Sequence, residues 1–212
     1  MSDPWSDRAE LYRTSTAHST GPDLDLIVEW AQGYSTAIDV ATGGGHVARR
    51  LREAGLEVVS CDPAPGMRPD VICFAEELPF ADAAFDLAVT RVAAHHFADV
   101  LAAVKEMARV ARGRVVISDN TFVSESSEEA DRVRDPSHVR NYSTAEWHSF
   151  FELAGLEVAA EAFMERPLEV EPWLARVGCR GADAARVYEL LGDRVVDGVM
   201  ALPTLVLKGV HA

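Results

Sequence analysis

Apolar residues recur at helical spacing through Asp23-Leu24-Asp25-Leu26-Ile27-Val28-Glu29-Trp30 after an acidic start, and this segment reads as a helix. The preceding residues, about 1–22, are short of apolar periodicity and carry Tyr12 in their middle; they are expected to form a polar N-terminal lid. Ala37-Ile38-Asp39-Val40 is a short strand, Gly43-Gly44-Gly45 its turn, and His46–Gly55 a helix closed by glycine at its C-terminal end. Val58–Cys61 is the next strand, so the four pieces predict a βαβ unit with parallel strands and a right-handed crossover.

The alternation continues. Val71–Phe74, Phe85–Thr90 and Val115–Ser118 are further strands, with a helix over Val100–Ala111 between the last two. After Asp119 the pattern changes. Ser124–Asp131 is polar and acidic, its run Glu125–Asp131 reading as a solvated helix face or mobile lid, Arg134–Tyr142 is rich in charge and turn residues, and Thr144–Ala154 is a helix stopped by Gly155. Residues about 120–150 are therefore expected to cap the carboxyl edge of the sheet. Trp147, Phe150 and Phe151 are assigned to the core, and Trp173 to a substrate cap. Leu156–Phe163 and Pro203–Val210 are expected to pair, with helices Pro172–Gly178 and Ala182–Leu191 between them. No repeat or linker interrupts the 212 residues, which predicts a single α/β domain with a mostly parallel, Rossmann-like sheet.

Charge narrows the partners. A formal net charge of −14 argues against nucleic acid, whose binding depends on clustered Lys and Arg. Cys61, Cys73 and Cys179 are odd in number and form no CxxC, which argues against a disulfide framework or zinc site and fits a reducing cytoplasm. The chain opens on Met1-Ser2-Asp3-Pro4 without a basic leader, and no apolar run approaches the ~18–20 residues of a membrane span, so no membrane insertion is expected.

Glycines where a strand turns into a helix let a ligand approach the free N–H groups of the helix start. Gly43-x-Gly45-x-x-Ala48 also fits a dinucleotide fingerprint, with Asp62 at the end of the next strand where a ribose-binding acid belongs. The turn alone thus fits NAD and S-adenosylmethionine (SAM) equally. Asp39 favours SAM, because an acid inside an apolar strand needs a partner and the amino group of a methionine moiety supplies one.

Four stretches, Ile38–His46, Cys61–Met67, Ala75–Asp86 and Thr90–Phe97, resemble in order the motifs of class I SAM-dependent methyltransferases, and most nearly the ubiquinone and menaquinone C-methyltransferase branch. Arg134-Asp135-Pro136-Ser137-His138-Val139-Arg140 is similar to a later segment of that branch, so the resemblance spans roughly residues 8–155. It implies that Ala41, Gly43 and Gly45 wrap the methionine end of SAM, Asp62 bonds both ribose hydroxyls, Met67 lies against adenine, Ala75 and Glu76 contact the base edge, Arg91 sits near the methionine portion and Tyr12 closes the pocket.

The sequence departs from that pattern in three places. Ala41 replaces the first glycine, which a strand-end φ below zero would tolerate. Phe74 stands where the family often has an acid. Only Pro63–Pro69 separates Asp62 from Asp70, too short for a helical crossover of at least ~10–12 residues, so the helix between strands two and three is expected to be missing. Another subunit or the N-terminal segment is then expected to cover the bared face, the first making a homo-oligomer.

SAM carries its own electrophilic methyl group, so the protein has mainly to align a small acceptor and exclude water. A base is optional, and His95, His96 and His138 are its candidates, with at most one of the adjacent pair His95 and His96 facing the acceptor. Arg134, His138 and Arg140 suggest a substrate pocket for an anionic or carbonyl oxygen. His95, His96 and Asp99 lack a fourth ligand at a metal-binding spacing, and no metal is expected. The leading function is methyl transfer to carbon or oxygen of a small, aromatic or quinone-like acceptor; the alternatives are a non-methylating protein of the same fold and an NAD-dependent oxidoreductase.

Overall fold

A computed structural model describes residues 3–212; Met1 and Ser2, the first residues of the expected lid, lie outside the described residues. The chain runs α1 (Pro4–Arg13), α2 (Thr16–Ser19), α3 (Pro22–Trp30), β1 (Thr36–Val40), α4 (His46–Glu53), β2 (Glu57–Asp62), β3 (Val71–Ile72), β4 (Phe85–Arg91), α5 (Val100–Val110) and β5 (Ala111–Asn120). It continues with α6 (Glu125–Arg134), α7 (Thr144–Leu153), β6 (Leu156–Glu169), α8 (Val170–Arg176), α9 (Ala182–Leu191) and β7 (Val199–His211). The seven strands form one sheet in the order β3-β2-β1-β4-β5-β7-β6. The first five are parallel, and β7 enters antiparallel to β5 and β6. A nicotinamide-binding doubly wound sheet has the order 3-2-1-4-5-6, with no antiparallel strand slotted in.

Each sheet face has its own apolar layer. Leu24, Ile27, Val47 and Leu51 from α3 and α4 pack on Ala37, Leu87, Val89 and Val116. On the other face Val104 and Met107 of α5, with Trp147 and Phe151 of α7, cover Ile38, Val40, Ala88 and Val115. Trp147 and Phe151 are thus core residues, as expected. A separate cluster joins Ala130 of α6 to Trp173 and Leu174 of α8 and Val187 and Leu191 of α9. The acidic run Ser124–Asp131 is therefore not simply solvated. It caps and begins α6, whose inner face buries Ser127, Glu128 and Ala130.

The helix between β2 and β3 is missing, as the loop length requires. A single 3-10 turn, Pro65–Met67, replaces it, and β3 shrinks to Val71–Ile72 rather than running to Phe74. The polar N-terminal segment forms α1 and α2, and α1 docks on that turn. Trp5, Ala9 and Tyr12 pack on Ala64 and Met67. Ser6 Oγ accepts the Gly66 N–H at 2.8 Å, and Arg13 donates to the Gly66 carbonyl at 2.8 Å. A side chain at Gly66 would collide with Ser6. The N-terminal segment, one of the two expected covers, covers the turn but leaves Ile72 and Phe74 exposed at 59% and 66%.

Candidate active site

The carboxyl ends of β1, β2 and β4 open into one cavity of about 1100 Å³, closed by α1 and the start of α3 on one side and by α6 and α8 on the other. Its glycine-turn end is built by two carboxylates. Asp39 Oδ2 accepts hydrogen bonds from Thr42 Oγ1 and, at 2.9 Å, from the Ala48 N–H, so the strand acid caps the first turn of α4. Its Oδ1 takes no hydrogen bond from the described residues, and Asp39 lines the cavity. Burial raises its pKa to about 6. Asp62 accepts from the N–H of Gly43 and of Ala64, each at 2.9 Å, and burial raises its pKa as well.

The backbone here corrects two expectations. Ala41 has φ +55°, not a negative value, because the chain must leave β1 through the left-handed region to begin the turn. A non-glycine residue there costs roughly 1–2 kcal/mol, so Ala41→Gly should stabilise the protein by about 1 kcal/mol in urea unfolding, after the added unfolded-state entropy. Gly45, with φ +75°, does not line the cavity; it donates to the Thr42 carbonyl and starts α4. Gly44 matters for another reason. A side chain there would meet the Tyr12 carbonyl at 2.6 Å. The same carbonyl accepts from His46 Nε2 at 2.9 Å, which fixes α1 against the turn.

Tyr12, Ala41, Gly43, Met67, Ala75, Glu76 and Arg91 all line the cavity. The Glu76 carboxylate is committed elsewhere, to the N–H groups of Ala98 and Asp99. Arg91 is committed too. Its guanidinium forms a buried pair with Asp23 (2.6 and 3.1 Å) and donates to the carbonyls of His18 and Thr20, so it holds the segment before α3.

The three candidate histidines come together at the other end. Ring centroids of His95 and His96 lie 4.2 Å apart, and His138 is 5.5 and 6.1 Å from them. All three line the cavity, which corrects the expectation that only one of the adjacent pair would face it. His95 and His96 sit on the 3-10 turn Ala94–His96, and His138 on the segment between α6 and α7.

Each ring has a distinct partner. His95 Nδ1 donates to Asp119 Oδ1 at 2.6 Å, and the Asp119 carboxylate also accepts the N–H of His95 and of Asn120. Burial opposes a charged His95, but the charge and hydrogen bond of Asp119 outweigh it and raise its pKa, while the same pairing lowers that of Asp119. Nε2 of His95 is left as the proton acceptor. His96 donates Nδ1–H to the Ser137 carbonyl at 3.0 Å, and burial, reinforced by His95, lowers its pKa to about 3. His138 Nε2 meets Glu128 Oε2 at 3.2 Å.

Arg134 lines the cavity with its guanidinium 4.3 Å from the Trp173 ring centroid. Trp173 lines it too. Arg140 does not reach the cavity. It is exposed, lies over the Tyr142 ring and pairs with Glu146 at 2.9 Å, so the proposed substrate trio is reduced to Arg134 and His138. Ligand-type atoms of Glu128, Asp131 and His138 lie within 4.8 Å of one another, a grouping different from the one weighed in the sequence. Asn141 Nδ2 donates to both carboxylates there, so N–H groups already meet their charge.

Sequence reasoning missed Asp119 as the partner of His95, Asp23 as the partner of Arg91, and Arg166 and Arg176 as cavity residues. Asp119 alone carried a signal, as an acid at the carboxyl end of a strand next to β4.

Residues 38–117 match a methyltransferase domain family. The chain is 32% identical over 199 residues to the uncharacterised methyltransferase YcgJ of Bacillus subtilis, covering 82% of this chain and 79% of that one. The crystal structure of YcgJ superposes with a TM-score of 0.80 at 25% identity, covering 89% and 97% of the two chains. A demethylmenaquinone methyltransferase of Beutenbergia cavernae is 35% identical over 121 residues, 51% of this chain and 47% of the relative. With the ordered motifs, the antiparallel β7 and a relative matched over most of its length, the chain belongs to the class I SAM-dependent methyltransferase family.

Proposed function

We propose that the cavity binds SAM against the glycine turn and directs its methyl group to carbon or oxygen of a small acceptor held at the histidine end. The observation that carries this reading is the arrangement of one continuous cavity between a carboxylate-braced glycine turn and a His95–Asp119 pair. Ala41 and Gly43 would wrap the methionine end, Asp62 would accept the ribose hydroxyls with its remaining lone pairs, and Met67, Ala75 and Glu76 would flank the adenine. Tyr12 closes the site from α1. Bound SAM supplies the electrophilic methyl group. The chain's own residues orient the acceptor, exclude water and, at His95 Nε2, take up a proton from the acceptor's hydroxyl or activated carbon.

Asp62→Ala should weaken SAM binding at least about tenfold in calorimetry, since a hydrogen bond to a charged group contributes roughly 1.5–3 kcal/mol. Asp39 adds a pH dependence. A ligand ammonium at the free Oδ1 favours the ionised carboxyl, which is half protonated at about pH 6 in the free protein. SAM affinity should therefore fall as pH drops through 6 and level off above it, with proton release on binding near that pH.

Incubation with SAM and a panel of phenols and quinols tests the reaction itself. Formation of S-adenosylhomocysteine (SAH) with an acceptor supports it; SAM binding without turnover across the panel favours a non-methylating role, for which the shortened β2–β3 connection is the argument.

A further inference from the structure

Three arginines line the cavity without a carboxylate within ion-pair distance among the described residues: Arg134 on α6, Arg166 on β6 and Arg176 on α8. The chain has 34 acidic against 20 basic residues, yet these three guanidinium groups share one cavity with no carboxylate at ion-pair distance among the described residues. Neighbouring arginines are paired, Arg91 with Asp23 and Arg8 with Asp135. Arg134 Nε donates to the Trp173 carbonyl at 3.2 Å, and Arg166 to Thr204 Oγ1 at 3.1 Å and Asn120 Oδ1 at 3.4 Å. The Arg176 guanidinium donates to none of the described residues.

Burial lowers the pKa of all three, and Arg176 adds repulsion at both Arg134 and Arg166. Asp131 and Asp135 act on Arg134, and Asp23 and Asp119 on Arg166, but only at longer range and less than burial does, while no carboxylate acts on Arg176, so a counter-charge arriving with a ligand would stabilise all three. The Tyr12 ring reaches toward the same place, where its phenol feels both Arg134 and Arg176. Beside the arginines the wall is apolar, made by Pro167, Leu168, Trp173 and Leu202.

We propose that Arg134, Arg166 and Arg176 form an anion subsite for the methyl acceptor, and that the acceptor carries a phosphate or diphosphate group on an apolar body. Guanidinium forks match phosphate oxygens in pairs, and three positive charges suit a group with two or three negative ones, whereas a single carboxylate would leave most of them uncompensated. The proposal rests on the methyltransferase reading of the cavity, since it assigns the arginines to the acceptor rather than to SAM.

Its test is calorimetric titration of inorganic pyrophosphate into protein saturated with SAH, at constant ionic strength, with SAH affinity measured first and separately. The expected result is one pyrophosphate site, weakened about tenfold or more in Arg176→Gln and in Arg166→Gln, with SAH affinity unchanged. Empty Arg176→Gln should also melt above the wild type, because it removes an unpaired desolvated charge; a merely structural arginine would lower the melting temperature. Absence of pyrophosphate binding, binding untouched by either substitution, or tighter binding of citrate would overturn the proposal. Equal loss of SAH affinity in the variants would overturn it too, by assigning the arginines to the cofactor. A wild type that fails to bind SAH refutes the cofactor reading in the first titration and takes the acceptor subsite with it.

Discussion

Asp119→Asn is expected to lower kcat for methyl transfer by about 10²–10⁴-fold with SAM affinity unchanged. The carboxylate holds His95 with its proton on Nδ1, which leaves Nε2 free to accept one from the acceptor. An asparagine can offer its own N–H to Nδ1 and so select the opposite tautomer, with Nε2 protonated and inert as a base. The pH profile separates this from a packing defect. In the wild type Asp119 raises the pKa of His95 above its ordinary 6.5, so the active neutral ring gains population, and kcat/KM rises, as pH climbs through that raised value. Without the carboxylate, burial is the largest remaining influence, ahead of the opposing Asp131 and Arg134, and it moves the midpoint to more acidic pH. A loss of kcat with an unmoved midpoint would show that His95 is not the base.

The largest effect on stability is expected at Asp23. Its side chain is fully buried and holds Arg91, itself 3% exposed, while Ser118 Oγ adds a hydrogen bond at 3.2 Å. Asp23→Ala leaves the guanidinium buried and uncompensated, which costs about 3–5 kcal/mol. That is a large share of the roughly 5–15 kcal/mol that holds an ordinary domain together, and for a chain of this size it lowers Tm by roughly 6–20 °C. The double variant Asp23→Ala/Arg91→Met should recover most of the loss in differential scanning calorimetry, since no charge is then stranded. Equal destabilisation by the single and double variants would show that the pair contributes through shape alone. Because Arg91 also holds the His18 and Thr20 carbonyls, the single variant should loosen α2 as well.

The parallel core was legible in the sequence because its signals are local. The apolar strand Ala37–Val40, the glycines after it and the helix His46–Glu53 follow one another within a few residues, and the short Pro63–Pro69 segment forbids a helix by length alone. The bounds of β5, β6 and β7 were less legible. These strands run 10, 14 and 13 residues because antiparallel β7 pairs with both neighbours, and long-range pairing extended them beyond their apolar centres.

Candidate site residues divided in the same way. Asp39, Asp62 and the glycines lie within one βαβ unit, so spacing located them. The sign of φ at Ala41 is set by the turn's exit direction, which composition does not encode. The partners of His95 and Arg91 lie 24 and 68 residues away, and the arginines of α8 and β6 reach the cavity only through the closing strands. No local pattern marks such contacts. Arg140 shows the converse: it lies two residues from His138, yet its side chain is exposed and pairs with Glu146.

The central claim, that the glycine turn holds SAM, is tested most directly by isothermal titration of the wild-type protein with SAM and, in parallel, with NADH. The account predicts saturable SAM binding at one site per chain and no heat from NADH. Saturable NADH binding with none by SAM would contradict it.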